Sequence, residues 1–280
     1  RYDQWKAGEE LFSIEIPENY ITEHFELMFE LPSVKAAMDE VAGQGIEVKI
    51  PDWEIDYGAS FKHGYLLVSS RKPFEEDHIF PRFAKVFDQA YTRYLDLQKA
   101  EGQAREAEIQ LALERVRART MAMQHSDELR EAVLVIYEQL QQLHFEATAC
   151  NIIIMDKESG SMQYWVSGFT QEIYPLSYHV PFLDHPYFTA QLEPWKEGVK
   201  YAVMEYSGEA KRRFDEIFFT QTDFKNVPEQ AKQAMTSLEM VKLSTAYCRY
   251  GAVQVFSPEP LSEKNGEILQ RFASVFEQTY

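Results

Sequence analysis

From Arg82 to Tyr174 the chain contains no proline, and from Phe80 onward the apolar positions fall into two helical registers. Phe80, Phe83, Phe87, Ala90, Tyr94 and Leu97 are spaced 3-4-3-4-3, and Ile109, Leu113, Val116, Thr120 and Met123 are spaced 4-3-4-3. Alternating threes and fours average about 3.5 residues and lay one stripe along a helix, the pattern of a coiled-coil seam. Residues 95–124 are rich in Ala, Leu, Gln, Glu and Arg, all strong helix formers. The segment QKAEGQAREAE breaks the phase and carries Gly102, so the seam is expected to be interrupted there. A helix over residues 77–123 would run about 70 Å at 1.5 Å per residue, with Pro81 confined to its first turn. One small domain cannot cover a stripe of that length. The expectation is a homodimer stalk, two chains in parallel through Phe83, Phe87, Ala90, Tyr94, Leu97, Ile109, Leu113, Val116, Thr120 and Met123. A solvated single-helix spacer, held by i,i+4 charge pairs, is the alternative.

Past Met123 the periodicity restarts. Leu129, Ala132, Val133, Ile136, Leu140 and Leu143 form one apolar helical face, with Ser126 or Asp127 as its cap. ATACNIIIMD, a turn at KESG and SMQYWVSG then read as a hairpin containing a buried central strand. YPLSYHVPFLDHPYFTAQLEPWKEG mixes a strand with a short helix opening near Asp184-His185-Pro186, and VKYAVMEYSG is a strand. Residues 209–235 are helical with an interruption at Pro228. SLEMVKLSTAYCRYGAVQVFSPEPL makes two long strands, and SEKNGEILQRFASVFEQTY closes with a helix capped by Ser262. Mostly antiparallel strands with helices gathered on one face define the α+β class.

The chain also repeats itself. RFAKVFDQAY at residues 82–91 returns as RFASVFEQTY at 271–280, with seven of ten positions identical. Upstream, GYLLVSSRKP (64–73) pairs with GAVQVFSPEP (251–260), FELMF (25–29) with FDEIF (214–218), and WKAG (5–8) with WKEG (195–198). The offset stays between 187 and 190 throughout, which makes this an internal duplication at domain scale. The second copy has about 68 residues between Asp127 and Trp195 whose counterparts the first copy almost wholly lacks. The expected organisation is the C-terminal part of a first domain in 1–92, a helical linker in 93–124 and a complete second domain in 125–280. The chain opens on Arg1 and reads as an excerpt of something longer, continuing past Tyr280 as helix. In the first copy EELFSIEI, IEVKIPDWEIDY and SFKHGYLLVSS are expected to form a three-stranded antiparallel meander with residues 61–70 as an open edge.

The order of elements, together with the ending EPLSEKNGEILQRFASVF, resembles the GAF domain, whose last hairpin runs through a Pro-hydrophobic turn into an amphipathic terminal helix. KPFEEDHIFPRFAKVF ends the first copy in the same way, and LALERVRARTMAMQHSDEL is similar to the linker that precedes GAF domains in large bacterial signalling proteins. The resemblance covers residues 125–280 and, cut short, residues 1–92. It implies a sheet of order 2-1-5-4-3 and tandem GAF domains in a cytoplasmic signal-transduction protein. Such domains bind a small molecule or a partner and relay that state through a dimeric stalk to an output domain elsewhere in the full chain (a histidine kinase, cyclase or DNA-binding regulator). The alternative is a degenerate pair acting only as a dimerisation scaffold. The cyclic-nucleotide signature of some members, Asn-Lys-x-Phe with a following Asp-Glu, is absent, since Lys264-Asn265 stands in the reverse order without the acidic pair. The resemblance places a ligand pocket between the sheet and the helices that cross it, lined by Trp165, Tyr178, His179, Phe182, His185, Phe188, Trp195 and Phe218. The same residues at these spacings equally make an ordinary core.

Composition and charge narrow the function further. A chain that is 45% hydrophobic and 14% aromatic is ordinary for a globular protein. A formal charge of −17 argues against a nucleic-acid surface, which needs clustered Lys and Arg. Cys150 and Cys248 both sit in apolar strands, without a disulfide framework or a metal-ligand spacing, so inert buried thiols in a reducing cytoplasm are expected. His179 and His185 are near neighbours but need a third ligand, such as Asp184 or Glu172, to hold a metal, and no converging set is apparent. No Gly-rich phosphate loop, nucleophile elbow or HExxH is present. The expectation is a binding module rather than an enzyme, with its cofactor, if any, left open.

Overall fold

A computed structural model describes residues 1–44, 50–169 and 177–280. The chain separates into two compact units, Arg1–Gly102 and Gln103–Tyr280, and is α+β with one antiparallel sheet in each.

In the first unit α1 (Tyr2–Lys6), β1 (Leu11–Ile16), α2 (Glu18–Phe29), α3 (Pro32–Gly43), β2 (Glu54–Phe61) and β3 (Gly64–Ser70) lead into α4 (Phe80–Met121). The strands form the meander β1-β2-β3, both pairs antiparallel. Strand β2 begins at Glu54, later than IEVKIPDWEIDY implies, and residues 45–49 of that stretch lie outside the described residues. Alternation along β2 sends Ile55, Tyr57 and Ala59 to one face, where they pack with Phe80 and Ala84 of α4. Asp56 points to the opposite face. Strand β3 is an edge and pairs only with β2 among the described residues.

The second unit continues α4 and adds α5 (Leu129–Gln142), β4 (Ala149–Met155), β5 (Met162–Gly168) and β6 (Tyr178–Val180). Next come α6 (Pro186–Lys196), β7 (Tyr201–Ser207), α7 (Gly208–Gln221), α8 (Glu229–Thr236), β8 (Met240–Cys248), β9 (Gly251–Ser257) and α9 (Glu263–Thr279). The sheet order is β6-β5-β4-β9-β8-β7. This contains the order 2-1-5-4-3, counting β4, β5, β7, β8 and β9 as strands one to five, with β6 added at one edge. Helices cover both faces rather than one. The reason is legible in β4, β8 and β9, which are buried along almost their whole length and so have apolar side chains in both directions. Cys150, Ile152, Ala246, Val253 and Val255 pack with α5, α9 and the second half of α4, whereas Ile153, Leu243, Ala252 and Phe256 pack with α6, α7 and α8.

Local signals explain the helix ends. Ser262 Oγ accepts from the Asn265 N–H at 3.2 Å, capping α9 as its sequence indicates. At the start of α5 the cap differs from expectation. Neither Ser126 nor Asp127 caps it with a side chain; the Glu128 carboxylate instead accepts from the N–H groups of Gln124 and His125 at 3.0 and 3.2 Å, closing a short 3-10 turn, Ser126–Glu128, that leads into α5. Helix α4 runs unbroken through Gly102 for 42 residues, about 63 Å at 1.5 Å per residue.

The stalk expectation needs correction over the second half of α4. Ile109, Leu113, Val116 and Thr120 are buried inside the second unit, the first three in one cluster with Leu129, Val133, Ile136 and Phe272, and Met123 packs against that cluster. Their 4-3-4 stripe meets helices of the same chain and is not free for a second one. Phe83, Phe87, Ala90, Tyr94 and Leu97 of the first half are exposed.

The duplication is visible in three dimensions. Trp5 Nε1 donates to the Phe61 carbonyl at 3.0 Å, and its counterpart Trp195 Nε1 donates to the Cys248 carbonyl at 2.8 Å. Asp88 accepts from the Lys62 N–H at 3.0 Å, and its counterpart Glu277 accepts from the Arg249 N–H at 2.8 Å. Each pair joins the same elements in the two copies, the first a helix to the end of the penultimate strand and the second a helix to the turn that follows it.

Candidate functional site

The eight residues expected to line a pocket do not converge on one cavity. Tyr178, Phe188, Trp195 and Phe218 lie together in the core between the sheet and α6–α7. Trp165 points to the opposite face, toward α5 and α9, because its neighbours Tyr164 and Val166 take the α6–α7 side of β5. His179 and Phe182 are exposed. His185 caps α6: its Nδ1 accepts from the Tyr187 N–H at 3.3 Å, which spends the lone pair a metal would use. Glu172, the other metal partner considered, lies outside the described residues.

Aromatic rings and a polar ladder fill the space where a ligand was expected. Tyr178 stacks on Phe224 with ring centroids 4.7 Å apart, and Phe218 lies 4.1 Å from the same ring. Beside them Gln191 of α6 donates to the Tyr187 hydroxyl at 2.6 Å and accepts from Gln254 of β9 at 3.3 Å. Gln254 also donates to Thr245 at 2.9 Å and accepts from Asn151 at 3.2 Å. Buried amides in mutual contact fix side-chain positions, since each would be costly to leave unpaired. Burial pushes the Tyr164 and Tyr187 hydroxyls well above the usual phenol range. Sequence reading missed this ladder. Its one signal was Gln191, four residues after Tyr187 on an otherwise apolar helical face.

A cleft of about 540 Å³ opens at the start of α7, lined by Ser207, Gly208, Lys211, Arg212, Asp215, Thr236, Ser237, Leu238, Glu239 and Met240. At its floor Lys211, 3% exposed, forms an ion pair with Asp215, 9% exposed, one helical turn on. Lys211 Nζ also donates to the Met235 carbonyl at 3.1 Å. Asp215 Oδ1 is buried and accepts no hydrogen bond among the described residues. Burial raises the Asp215 carboxyl above the ordinary range, and the Lys211 ammonium opposes that rise. The arrangement fixes a buried ion pair beneath a cleft whose rim carries the hydroxyls of Ser207, Thr236 and Ser237.

The first unit has a charged cluster of its own. His24, Glu54 and the fully buried Asp56 bring their ligating atoms within 4.8 Å of one another. The Arg1 guanidinium pairs with Asp56, and Ser69 donates to its other oxygen at 2.5 Å. Burial, then the charge of Asp56, raises the Glu54 carboxyl; burial, then Arg1, lowers the His24 imidazole. The guanidinium already supplies the positive charge there. Burial likewise raises the Cys150 and Cys248 thiols, so neither is an activated nucleophile. Among the described residues no helix is long and apolar enough to cross a membrane.

Fold and clefts together define a tandem α+β protein in which one sheet-and-helix arrangement occurs twice. No protein-family model and no curated protein sequence matches the chain. A crystal structure of a methyl-accepting chemotaxis protein, residues 122 to 287, is similar over 60% of this chain and 94% of that chain, at 13% identity and a TM-score of 0.37. A likeness that distant defines neither family nor function.

Proposed function

We propose that the chain is a sensory or regulatory module of a signalling protein, built from two GAF-like domains, each ending in a helix that passes its state along the chain. One observation carries this reading. Helix α4 closes the first sheet through Phe80 and Ala84, and its second half supplies Ile109, Leu113 and Val116 to the core of the second unit. A change in how the first sheet holds α4 therefore has a direct mechanical route to α5 and α9. The strand order and the Ser262-capped terminal helix support the GAF-like reading. Output belongs to a further domain of the full protein, a histidine kinase, cyclase or DNA-binding regulator. Two chains pair in parallel through Ala90, Tyr94 and Leu97, three of the five exposed residues of the stalk stripe.

The ligand is a small polar molecule held in the cleft over the Lys211–Asp215 pair. The aromatic and amide filling of the α6–α7 face favours a second reading, a scaffold that binds nothing. Native mass spectrometry of the purified chain, followed by release of bound material in denaturant, separates the two. A stoichiometric small molecule, lost on Asp215→Ala, is expected; its repeated absence would leave the scaffold.

A further inference from the structure

Four features of the first unit match features of the second that are there covered by the segment 103–155. The first is the sheet edge. In the second unit β4 pairs antiparallel with β9 from Ala149 opposite Phe256 to Ile154 opposite Gly251. The counterpart edge, Gly64 to Ser69 of β3, is unpaired among the described residues. The second is the helix face. Phe272, Val275 and Phe276 of α9 are buried in one cluster with α5 and the second half of α4, whereas their identical counterparts Phe83 and Val86 are 62% and 66% exposed and Phe87 is exposed as well. The third is charge. Arg271 makes a bidentate pair with Glu106 of α4 at 2.7 and 3.1 Å, while its counterpart Arg82 is exposed and makes no ion pair among the described residues.

The fourth is a glycine. A Cβ on Gly251 would lie 1.9 Å from the Ile153 carbonyl oxygen, so β4 approaches closer than any side chain permits. Gly64 holds the same place in the first copy, yet a Cβ there meets nothing closer than the Phe61 ring at 3.4 Å. The close approach that requires the glycine is present in one copy and missing from the other.

We infer that the first unit is a receptor for a helix–helix–strand segment built like residues 103–155. Its strand adds antiparallel to the open edge of β3, its apolar helix face covers Phe83, Val86 and Phe87, and a carboxylate on it pairs with Arg82. Strand addition supplies main-chain hydrogen bonds, and the apolar helix face and the ion pair select the partner. Identity of Arg82, Phe83, Val86 and Phe87 with Arg271, Phe272, Val275 and Phe276 makes the chain's own residues 103–168 a fitting probe.

The test joins a second copy of residues 103–168 to Arg1 through a flexible linker of about 20 residues, long enough to let the ends meet, and tracks amide hydrogen exchange in the whole chain. Exchange at residues 65–69 should slow at least about 100-fold, as for amides moved from an open edge into a ladder. Gly64→Ala and Val86→Glu should each abolish that gain without changing exchange in residues 129–280. Unchanged exchange at 65–69 in the joined chain overturns the proposal, as does a gain that survives both substitutions. Protection of 65–69 that the unjoined chain shows at high concentration and loses on dilution also overturns it, because it assigns the edge to a second copy of this chain.

Discussion

Val116→Glu should unfold the second unit rather than separate two chains. Val116 is fully buried among Leu129, Val133, Ile136 and Phe272, in an apolar cluster that offers a carboxylate no water. An unpaired charge in such a place costs on the order of 5 kcal/mol, comparable to the whole stability of a typical domain. Circular dichroism should show the loss of much of the second unit's cooperative transition. Leu97→Glu, on the exposed part of the same helix, is the control. It should leave both units folded and move the chain from dimer to monomer in light scattering. A folded Val116→Glu variant that had merely become monomeric would restore the full-length stalk.

Gly251→Ala is expected to be nearly as damaging, although it adds one methyl group. The residue has φ of +152°, a conformation that side chains avoid, and the new carbon would meet the Ile153 carbonyl of β4. Backbone strain and overpacking together should cost about 2–6 kcal/mol. Gly64→Ala in the unjoined chain should change stability by no more than about 0.5 kcal/mol, since the new carbon meets only the Phe61 ring, at 3.4 Å. Denaturant titration of both variants measures the contrast. Equal effects would contradict the difference between the two copies.

Much of this architecture was legible because it rests on local periodicity. The duplicated decapeptide, the long helix, the α+β class and the cap at Ser262 all arise from patterns that span a few residues. Partner identity was not legible. A 4-3-4 stripe such as Ile109, Leu113, Val116 and Thr120 looks the same whether the covering helix comes from the same chain or another. The candidate pocket failed for a related reason. In a strand that is apolar on both sides, such as β5, alternation gives two sets of side chains but not which set faces which helices, so Trp165 was placed on the wrong side. His185 read as a pocket residue; it borders a separate cleft of about 500 Å³ with Tyr187, Tyr206 and Phe214, and its ring also caps α6, a role that depends on the turn before Pro186. The Lys211–Asp215 pair has ordinary i,i+4 spacing, and only the packing of α7 and α8 shows that it is buried.

The relay through α4 is the central claim, and amide exchange after Ala84→Asp tests it most directly. Ala84 is fully buried between α4 and the first sheet, so the carboxylate should release α4 from Ile55, Tyr57 and Ala59. If α4 couples the units, residues 105–120 should then exchange at least about 10-fold faster, equivalent to about 1.4 kcal/mol. Lost protection at residues 55–59 with unchanged exchange at 105–120 would contradict the account.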